Sequence, residues 1–285
     1  MKEGFGQKPD WLRKTWKTDE ETREVEDLVR ELGLNTVCRE ASCPNYTECF
    51  GRGTATFMIL GAVCTRNCGF CGVTHSAPEP LDSGEPGRVA EAVKRLGLKY
   101  VVITSVTRDD LDDGGAEHFA KTVREIRRLS PETVIETLIP DFGGSGPALD
   151  LVIEAAPDVI SHNMETVREL YGQVRPEADY ERSLQVIRHI ADSGSGIKAK
   201  SGLMVGVGET NGQVSELMDD LRKAGCGILT IGQYLRPSEK NIPVIKYIEP
   251  AVFDQWADEA RRKGFEFVAS APFVRSSYHA DEAIL

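Results

Sequence analysis

Six of the seven cysteines in this chain lie in two tight triplets near its N-terminus, and their spacing is the strongest chemical signal in the sequence. The second triplet, Cys64-Thr-Arg-Asn-Cys68-Gly-Phe-Cys71, is a C-x3-C-x2-C run. Such closely spaced soft thiolates suit an iron–sulfur cluster better than a tetrahedral zinc ion. Three protein ligands on a four-iron cube leave one iron open, and an open metal position is where substrate chemistry can happen. The first triplet, Cys38-Arg-Glu-Ala-Ser-Cys43-Pro-Asn-Tyr-Thr-Glu-Cys49, is a C-x4-C-x5-C run that also stops one ligand short. A ferredoxin-type electron carrier would bring a fourth cysteine in motif spacing, which neither run does. The remaining cysteine, Cys226, follows a helix stop and reads as a small buried hydrophobe.

Composition bounds the setting. At 285 residues, 40% hydrophobic and 28% charged, the chain has the make-up of a soluble globular protein. No apolar run approaches the length of a membrane span, and no secretory signal opens the chain. Odd, locally clustered cysteines without a secretion signal argue for metal binding in a reducing compartment rather than for disulfides. The expected location is the cytoplasm, or an organellar matrix if a transit peptide has been removed. A net charge of −11 speaks against general nucleic-acid or membrane-surface binding. The N-terminal arm is locally basic, with Lys2, Lys8, Arg13, Lys14 and Lys17. It is either a solvated tail or a docking surface for an acidic partner.

The cysteines need elements that position them. Thr18-Asp-Glu-Glu21 reads as a capping box opening a helix that buries Val25, Leu28, Val29 and Leu32 and ends at Gly33. The first triplet then falls in what reads as irregular chain. Apolar runs at 56–61, 100–104, 133–139, 158–162, 198–205 and 228–234 read as buried parallel strands. Amphipathic helices alternate with them, for example around Val89 and Val93 before Gly97, Val214 and Leu217 before Gly225, and Phe253 and Trp256 before Gly264. The pattern is α/β, and predicts a partial (β/α)6 TIM-like barrel with N- and C-terminal extensions. A doubly wound sheet is the alternative. Expected boundaries are an N-terminal extension at 1–52, the barrel at 53–264 and a C-terminal segment at 265–285.

In a barrel the loops after the strands' carboxyl ends make the active-site face. The second triplet follows the first predicted strand. Polar or glycine-rich patches at Ser105 to Gly115, Pro140 to Gly144, His162 to Glu165, Gly206 to Glu209 and Gln233 to Arg236 follow the others. Together they describe one site.

C-x3-C-x2-C ahead of a (β/α) pattern resembles the radical S-adenosylmethionine superfamily. The first triplet, Asp112-Asp-Gly-Gly-Ala116, Ser161-His-Asn-Met-Glu-Thr166, Lys200-Ser-Gly-Leu-Met-Val-Gly-Val-Gly-Glu-Thr210, Gln233-Tyr-Leu-Arg-Pro-Ser238 and Arg275-Ser-Ser-Tyr278 narrow this. With them the chain resembles the lipoyl synthases from about Lys8 to Ala280. Two small departures, Ser161 where that family has Asn and Ala199 where it has Thr, touch no expected ligand.

The resemblance implies a specific chemistry. Members insert sulfur at C6 and C8 of an octanoyl chain carried on a lysine of a lipoyl-accepting protein. They use S-adenosylmethionine and two [4Fe–4S] clusters, and an electron donor such as ferredoxin or flavodoxin. Cys64, Cys68 and Cys71 would hold the cluster that cleaves the cofactor. Cys38, Cys43 and Cys49 would hold an auxiliary cluster that is the sulfur source, with a serine oxygen from the Arg275–Tyr278 motif as fourth ligand. That serine carries over to Ser277, with Ser276 as the lesser candidate. Gly114 and Gly115 either let backbone approach the methionine end of S-adenosylmethionine or form a plain turn. Asn163 and Glu165 are candidates for its ribose hydroxyls, and Arg175 or Arg236 for its carboxylate. His162 reads as a satisfied strand-end histidine, and Arg275 as a residue that positions the serine loop.

Overall fold

The computed structural model describes residues 8–13, 20–40, 43–51, 56–278 and 280–284. The Thr18 capping box and Lys2, Lys14 and Lys17 of the basic arm lie outside the described residues. The predicted helix after Thr18 is present as α1 (Glu20–Glu31), with Val25, Leu28 and Val29 buried and Gly33 at φ +59° behind it.

The six predicted strands all form, each within two residues of its expected ends. They are β2 (Thr56–Ile59), β5 (Tyr100–Ser105), β6 (Val134–Leu138), β7 (Val159–Ser161), β8 (Lys198–Val205) and β9 (Ile228–Gln233). Two further strands extend the sheet. β10 (Phe267–Ser270) adds to β9 in parallel, and β1 (Asn35–Thr36) pairs antiparallel with β2. A separate two-stranded ribbon, β3 (Val63–Cys64) with β4 (Thr74–His75), carries the start of the second triplet.

Sheet order settles the architecture. The strands run β1-β2-β5-β6-β7-β8-β9-β10, without the reversal that marks a doubly wound sheet. Every crossover therefore turns the same way, and the helices line one face. These are α4 (Glu85–Arg95), α5 (Ala116–Leu129), α6 (Gly146–Glu154), α8 (Tyr180–Asp192), α9 (Asn211–Lys223) and α10 (Pro250–Arg262), packed side by side in chain order. A four-residue helix, α7 (Tyr171–Val174), lies within the β7–α8 connection. Edges remain at β1 and β10, so the barrel is partial.

Local chemistry explains why these segments behave so. β-Branched runs such as Val101-Val102-Ile103-Thr104 favour the pleated sheet. α9 opens on a full capping box, Thr210 Oγ1 accepting the Gln213 amide and Gln213 Oε1 accepting the Thr210 amide. Residues that alternate along the strands divide two cores. Val101, Ile103, Ile135 and Ile160 face the helices with Phe119 and Val123. Tyr100 and Val102 face the concave side, where Ala280 and Ile284 of the C-terminal segment pack on them. The concave side also buries an ion pair, Lys200 Nζ to Glu136 Oε2 at 2.8 Å, onto which Tyr100 donates its hydroxyl at 2.6 Å. Among the described residues no helix is long and apolar enough to cross a membrane.

Glycine at 115 is set by geometry. It caps α5 at φ +92°, and a Cβ there would sit 2.4 Å from Leu60 Cδ1 at the exit of β2. Gly87, inside α4, has open space around its Cα. Gly115→Ala should therefore lower stability by about 1–2 kcal/mol or more, whereas Gly87→Ala should raise it by about 0.5–1 kcal/mol. Urea denaturation of the two variants beside the parent checks this, and the reverse ordering would contradict it.

Candidate active site at the carboxyl rim of the barrel

The second triplet sits where the sequence places it, directly beyond β2. The chain leaves that strand through Leu60, a non-glycine residue at φ +70°. Both its backbone groups are held: its amide donates to Glu85 Oε2 at 2.8 Å, and its carbonyl accepts from Arg108 at 3.2 Å. His118 Nε2 lies 2.8 Å from the same Glu85 oxygen. Such a left-handed residue persists only where its surroundings over-determine it. The exit of β2 is thereby turned toward the cysteine loop.

That loop is pinned on several sides. Gly69 donates its amide to Val174 O at 3.0 Å and accepts from the Ile242 amide at 2.9 Å. A Cβ on Gly69 would meet Ile242 Cγ2 at 2.9 Å, so only glycine fits without a shift. Asn241 Nδ2 donates to Cys71 O at 2.8 Å, and the Cys71 amide donates to Cys68 O at 3.1 Å. The Thr107 amide donates to Cys64 Sγ at 3.3 Å. All three thiols are half-buried. Desolvation pushes Cys68 up to about 12, against the pull of Arg175, and Cys71 up to about 11; thiolate repulsion within the triplet adds to both.

Behind the loop lies a buried ion network. Arg66 is 8% exposed and forks onto two carboxylates. Its Nε and Nη2 donate to Asp109 at 2.7 Å each, and its Nη2 and Nη1 donate to Asp141 at 2.8 and 3.0 Å. Asp141, fully buried, also accepts Arg182 Nε at 2.8 Å and the Gly143 amide at 3.1 Å. Desolvation works to raise the Asp141 carboxyl, but the Arg66 hydrogen bonds and charge outweigh it and hold it well below the usual carboxylate range. The network joins the loops after β2, β5 and β6 to the head of α8.

The predicted cofactor contacts gather beyond β7. Asn163 Nδ2 donates to Glu165 Oε1 at 2.9 Å and to Ser276 Oγ at 2.6 Å, while its Oδ1 is buried with no partner. Arg175 reaches Asn163 O at 2.8 Å and Tyr171 Oη at 3.1 Å. Desolvation raises the Glu165 carboxyl, with Arg175 and Asn163 opposing it. Arg236, the other candidate for a carboxylate partner, turns its Nε onto Asn241 O at 2.7 Å and its other end onto Glu239 O, within its own loop. His162 Nδ1 lies 2.9 Å from Ile139 O, but Nε2 is buried and unpartnered. It is satisfied on one side only, and burial pushes it down to about 4. Gly114, at φ +62°, would place a Cβ 3.0 Å from Phe142, so packing alone already requires a small residue there.

Two of the five rim patches use their polar groups on one another. Glu209 accepts the amides of Gly206 at 2.5 Å and Val207 at 3.0 Å. Gln233, 1% exposed, donates to Val205 O, Tyr234 O and Lys246 O and accepts the Ile248 amide. They fix the rim loops.

The first triplet is more ordered than expected. Cys38 lies in α2 (Val37–Glu40) and Cys49 in α3 (Tyr46–Gly51), so two short helical turns replace the predicted irregular chain. The Cys43 amide donates to Cys38 O at 3.2 Å and the Cys49 amide to Asn45 O at 2.9 Å. Burial pushes the Cys38 thiol up to about 12, with Cys43 and Cys49 adding repulsion. The C-terminal motif meets this triplet. Asn45 Nδ2 donates to Phe273 O at 2.8 Å, and Tyr278 donates its hydroxyl to Glu48 Oε1 at 2.7 Å. Desolvation pulls the Arg275 guanidinium down while the nearby Cys43 favours its charge.

Among the described residues no group of three or more Cys, His, Asp or Glu side chains could hold a single metal ion. A four-iron cube spaces its corner ligands more widely than a lone ion does. The donor chemistry fits a cube at both places, since three soft thiols gathered in one loop region suit iron–sulfur ligation and a cationic core would favour their thiolate forms. Sequence reasoning missed Arg66 and Thr65, which lie between the cysteines, although it marked the loops that hold Asp109 and Asp141. It also missed Asn45 and Glu48. The available signal was an arginine inside a cysteine run, with acidic residues in two other rim loops.

Comparison with known proteins bears on this geometry. Residues 58–221 match the model of the Radical SAM superfamily. Methylornithine synthase shares the fold, with a TM-score of 0.55 at 15% identity over 90% of this chain and 85% of its own. The lipoyl synthase of Caldicellulosiruptor saccharolyticus is 55% identical over 96% of both chains. That of Methylococcus capsulatus is 55% identical over 96% of this chain and 86% of its own. Identity this high over 96% of this chain means that the chain belongs to the lipoyl synthase family within the Radical SAM superfamily.

Proposed function

We propose that the chain converts an octanoyl group, carried on a lysine of a lipoyl-accepting protein domain, into a lipoyl group. Family membership supplies S-adenosylmethionine and one [4Fe–4S] cluster; we assign that cluster to Cys64, Cys68 and Cys71, and a second to Cys38, Cys43, Cys49 and Ser277. When bound, these groups supply an electron, a 5′-deoxyadenosyl radical able to take hydrogen from unactivated carbons, and the two sulfur atoms. C6 and C8 bear no activating group, so acid–base or nucleophilic chemistry from side chains alone does not reach them.

The chain's own residues bind and orient. Arg175, held over the Tyr171 ring at 5.5 Å, presents positive charge beside Cys68 and is our choice for the cofactor carboxylate over Arg236. Asn163 and Glu165 offer the ribose contacts, and the Gly114–Gly115 backbone borders the same rim. The observation that carries the reading is the 2.6 Å bond from Asn163 Nδ2 to Ser276 Oγ. It brings the Arg275–Tyr278 motif against Asn163, while Asn45 and Glu48 tie the same segment to the first triplet. Because Ser276 is engaged there, while the Ser277 hydroxyl makes no hydrogen bond among the described residues, Ser277 is the better candidate ligand.

We divide the chain as an N-terminal extension at 1–52, the barrel at 53–264 and a C-terminal segment at 265–285; β1 and β10 of the extensions lengthen the sheet at its edges. Seven free cysteines fit a reducing cytoplasmic or matrix compartment. A small acidic electron carrier, ferredoxin or flavodoxin, is the donor class we assign.

Replacing Cys64, Cys68 or Cys71 with Ala should abolish 5′-deoxyadenosine formation, because each removes one of three ligands. Substantial 5′-deoxyadenosine from any of them would sink the assignment. Cys38→Ala, Cys43→Ala or Cys49→Ala should leave 5′-deoxyadenosine formation in place while no thiolated product appears. Ser277→Ala should be milder than these, since water can replace one oxygen ligand, and Ser276→Ala milder still. Single-turnover mass spectrometry reads all of them, and lipoyl product from Cys43→Ala would contradict the sulfur-source assignment.

A further inference from the structure

Backbone amides at the rim donate to sulfur, that of Thr107 among them. The Thr107 amide donates to Cys64 Sγ at 3.3 Å, and three neighbouring contacts keep it there. Thr65 donates its amide and its hydroxyl to Thr107 O, both at 3.0 Å, and its hydroxyl oxygen accepts the Asp109 amide at 3.1 Å. Residues 64–65 and 107–109 thus form a short ladder. Arg66 fastens its outer end, gripping Asp109 with two bonds of 2.7 Å and anchoring to the fully buried Asp141. Four N–H groups of one guanidinium make these bonds, which lysine cannot reproduce. An amide donor to a cluster thiolate stabilises the more negative, reduced state, so it raises the reduction potential.

We propose that Thr65 and Arg66 are positioning residues that hold the Thr107 amide on Cys64 Sγ and thereby raise the reduction potential of the cluster carried by the second triplet. The side-chain hydrogen bonds of both go to other rim residues and not to a cysteine sulfur; Thr65 acts through Thr107, and Arg66 acts through Asp109. The proposal rests on the assignment of that cluster to Cys64, Cys68 and Cys71.

The test is a redox titration of the full, anaerobically reconstituted chain followed by electron paramagnetic resonance. The signal read is the one that changes when S-adenosylmethionine is added, which isolates the cluster with the open iron. Thr65→Val, isosteric but without the hydroxyl, should cut the ratio of reduced to oxidised cluster about tenfold at a fixed ambient potential, a negative shift of about 59 mV for one electron. Thr65→Ser should titrate as the parent does. Arg66→Lys and Asp109→Asn should shift in the same direction as Thr65→Val, and they carry the test if Thr65→Val does not load iron. Parent-like potentials in the loaded variants would overturn the proposal. Loss of the cluster from all three variants would overturn it too, because the contacts would then serve assembly and not potential. A parent chain with no signal responsive to S-adenosylmethionine would instead remove the cluster assignment beneath it.

Discussion

A guanidinium buried between two carboxylates sets the geometry of the rim. Arg66 binds Asp109 and Asp141 together, and Asp141 binds Arg182 and the Gly143 amide besides. Desolvating such charges is expensive, and removing one partner of a buried pair typically costs about 3–5 kcal/mol. Here every carboxylate oxygen of Asp141 has a donor, so the arrangement is satisfied as a unit. Its consequence is mechanical as well as energetic. Three loops that would otherwise move independently are held in one frame, and the thiols of the second triplet sit at its front.

The opposite side of the rim is closed by the chain's own C-terminus. Asn45 to Phe273, Glu48 to Tyr278 and Asn163 to Ser276 are contacts between segments more than a hundred residues apart. They bring the first triplet, the serine motif and the polar cluster beyond β7 to one place. That adjacency is what the sulfur-source role proposed for the first triplet would need, since a carbon that has lost hydrogen must meet sulfur before anything else quenches it. Ala280 and Ile284 continue inward onto Tyr100 and Val102, so the same segment also packs the concave face of the open barrel.

Much of this was legible in the residues. The six long apolar runs became strands because β-branched side chains at buried positions have no competing periodicity. The helix stops at Gly33 and Gly97 hold because both glycines take φ +59°, which other residues rarely adopt. β1 and the β3–β4 ribbon were not legible, since a two-residue strand has no period to read. β10 was missed because four residues, only one of them fully buried, carry too short a pattern to read as a strand. At the site, the cysteine triplets were visible from spacing, and the serine motif only through the family resemblance. The Arg66 network was not, because its partners are 43 and 75 residues away and only the fold brings them together. Gly206 to Glu209 and Gln233 were legible as polar rim segments, but that they hydrogen-bond within the rim itself was not.

Whether one chain holds two distinct clusters facing a common rim is decided by counting iron and acid-labile sulfide after anaerobic reconstitution of the parent, Cys68→Ala and Cys43→Ala. About eight irons per parent chain and about four in each variant are expected. A parent that saturates at about four, or a Cys43→Ala variant that retains the parent's full count, would contradict the two-cluster assignment.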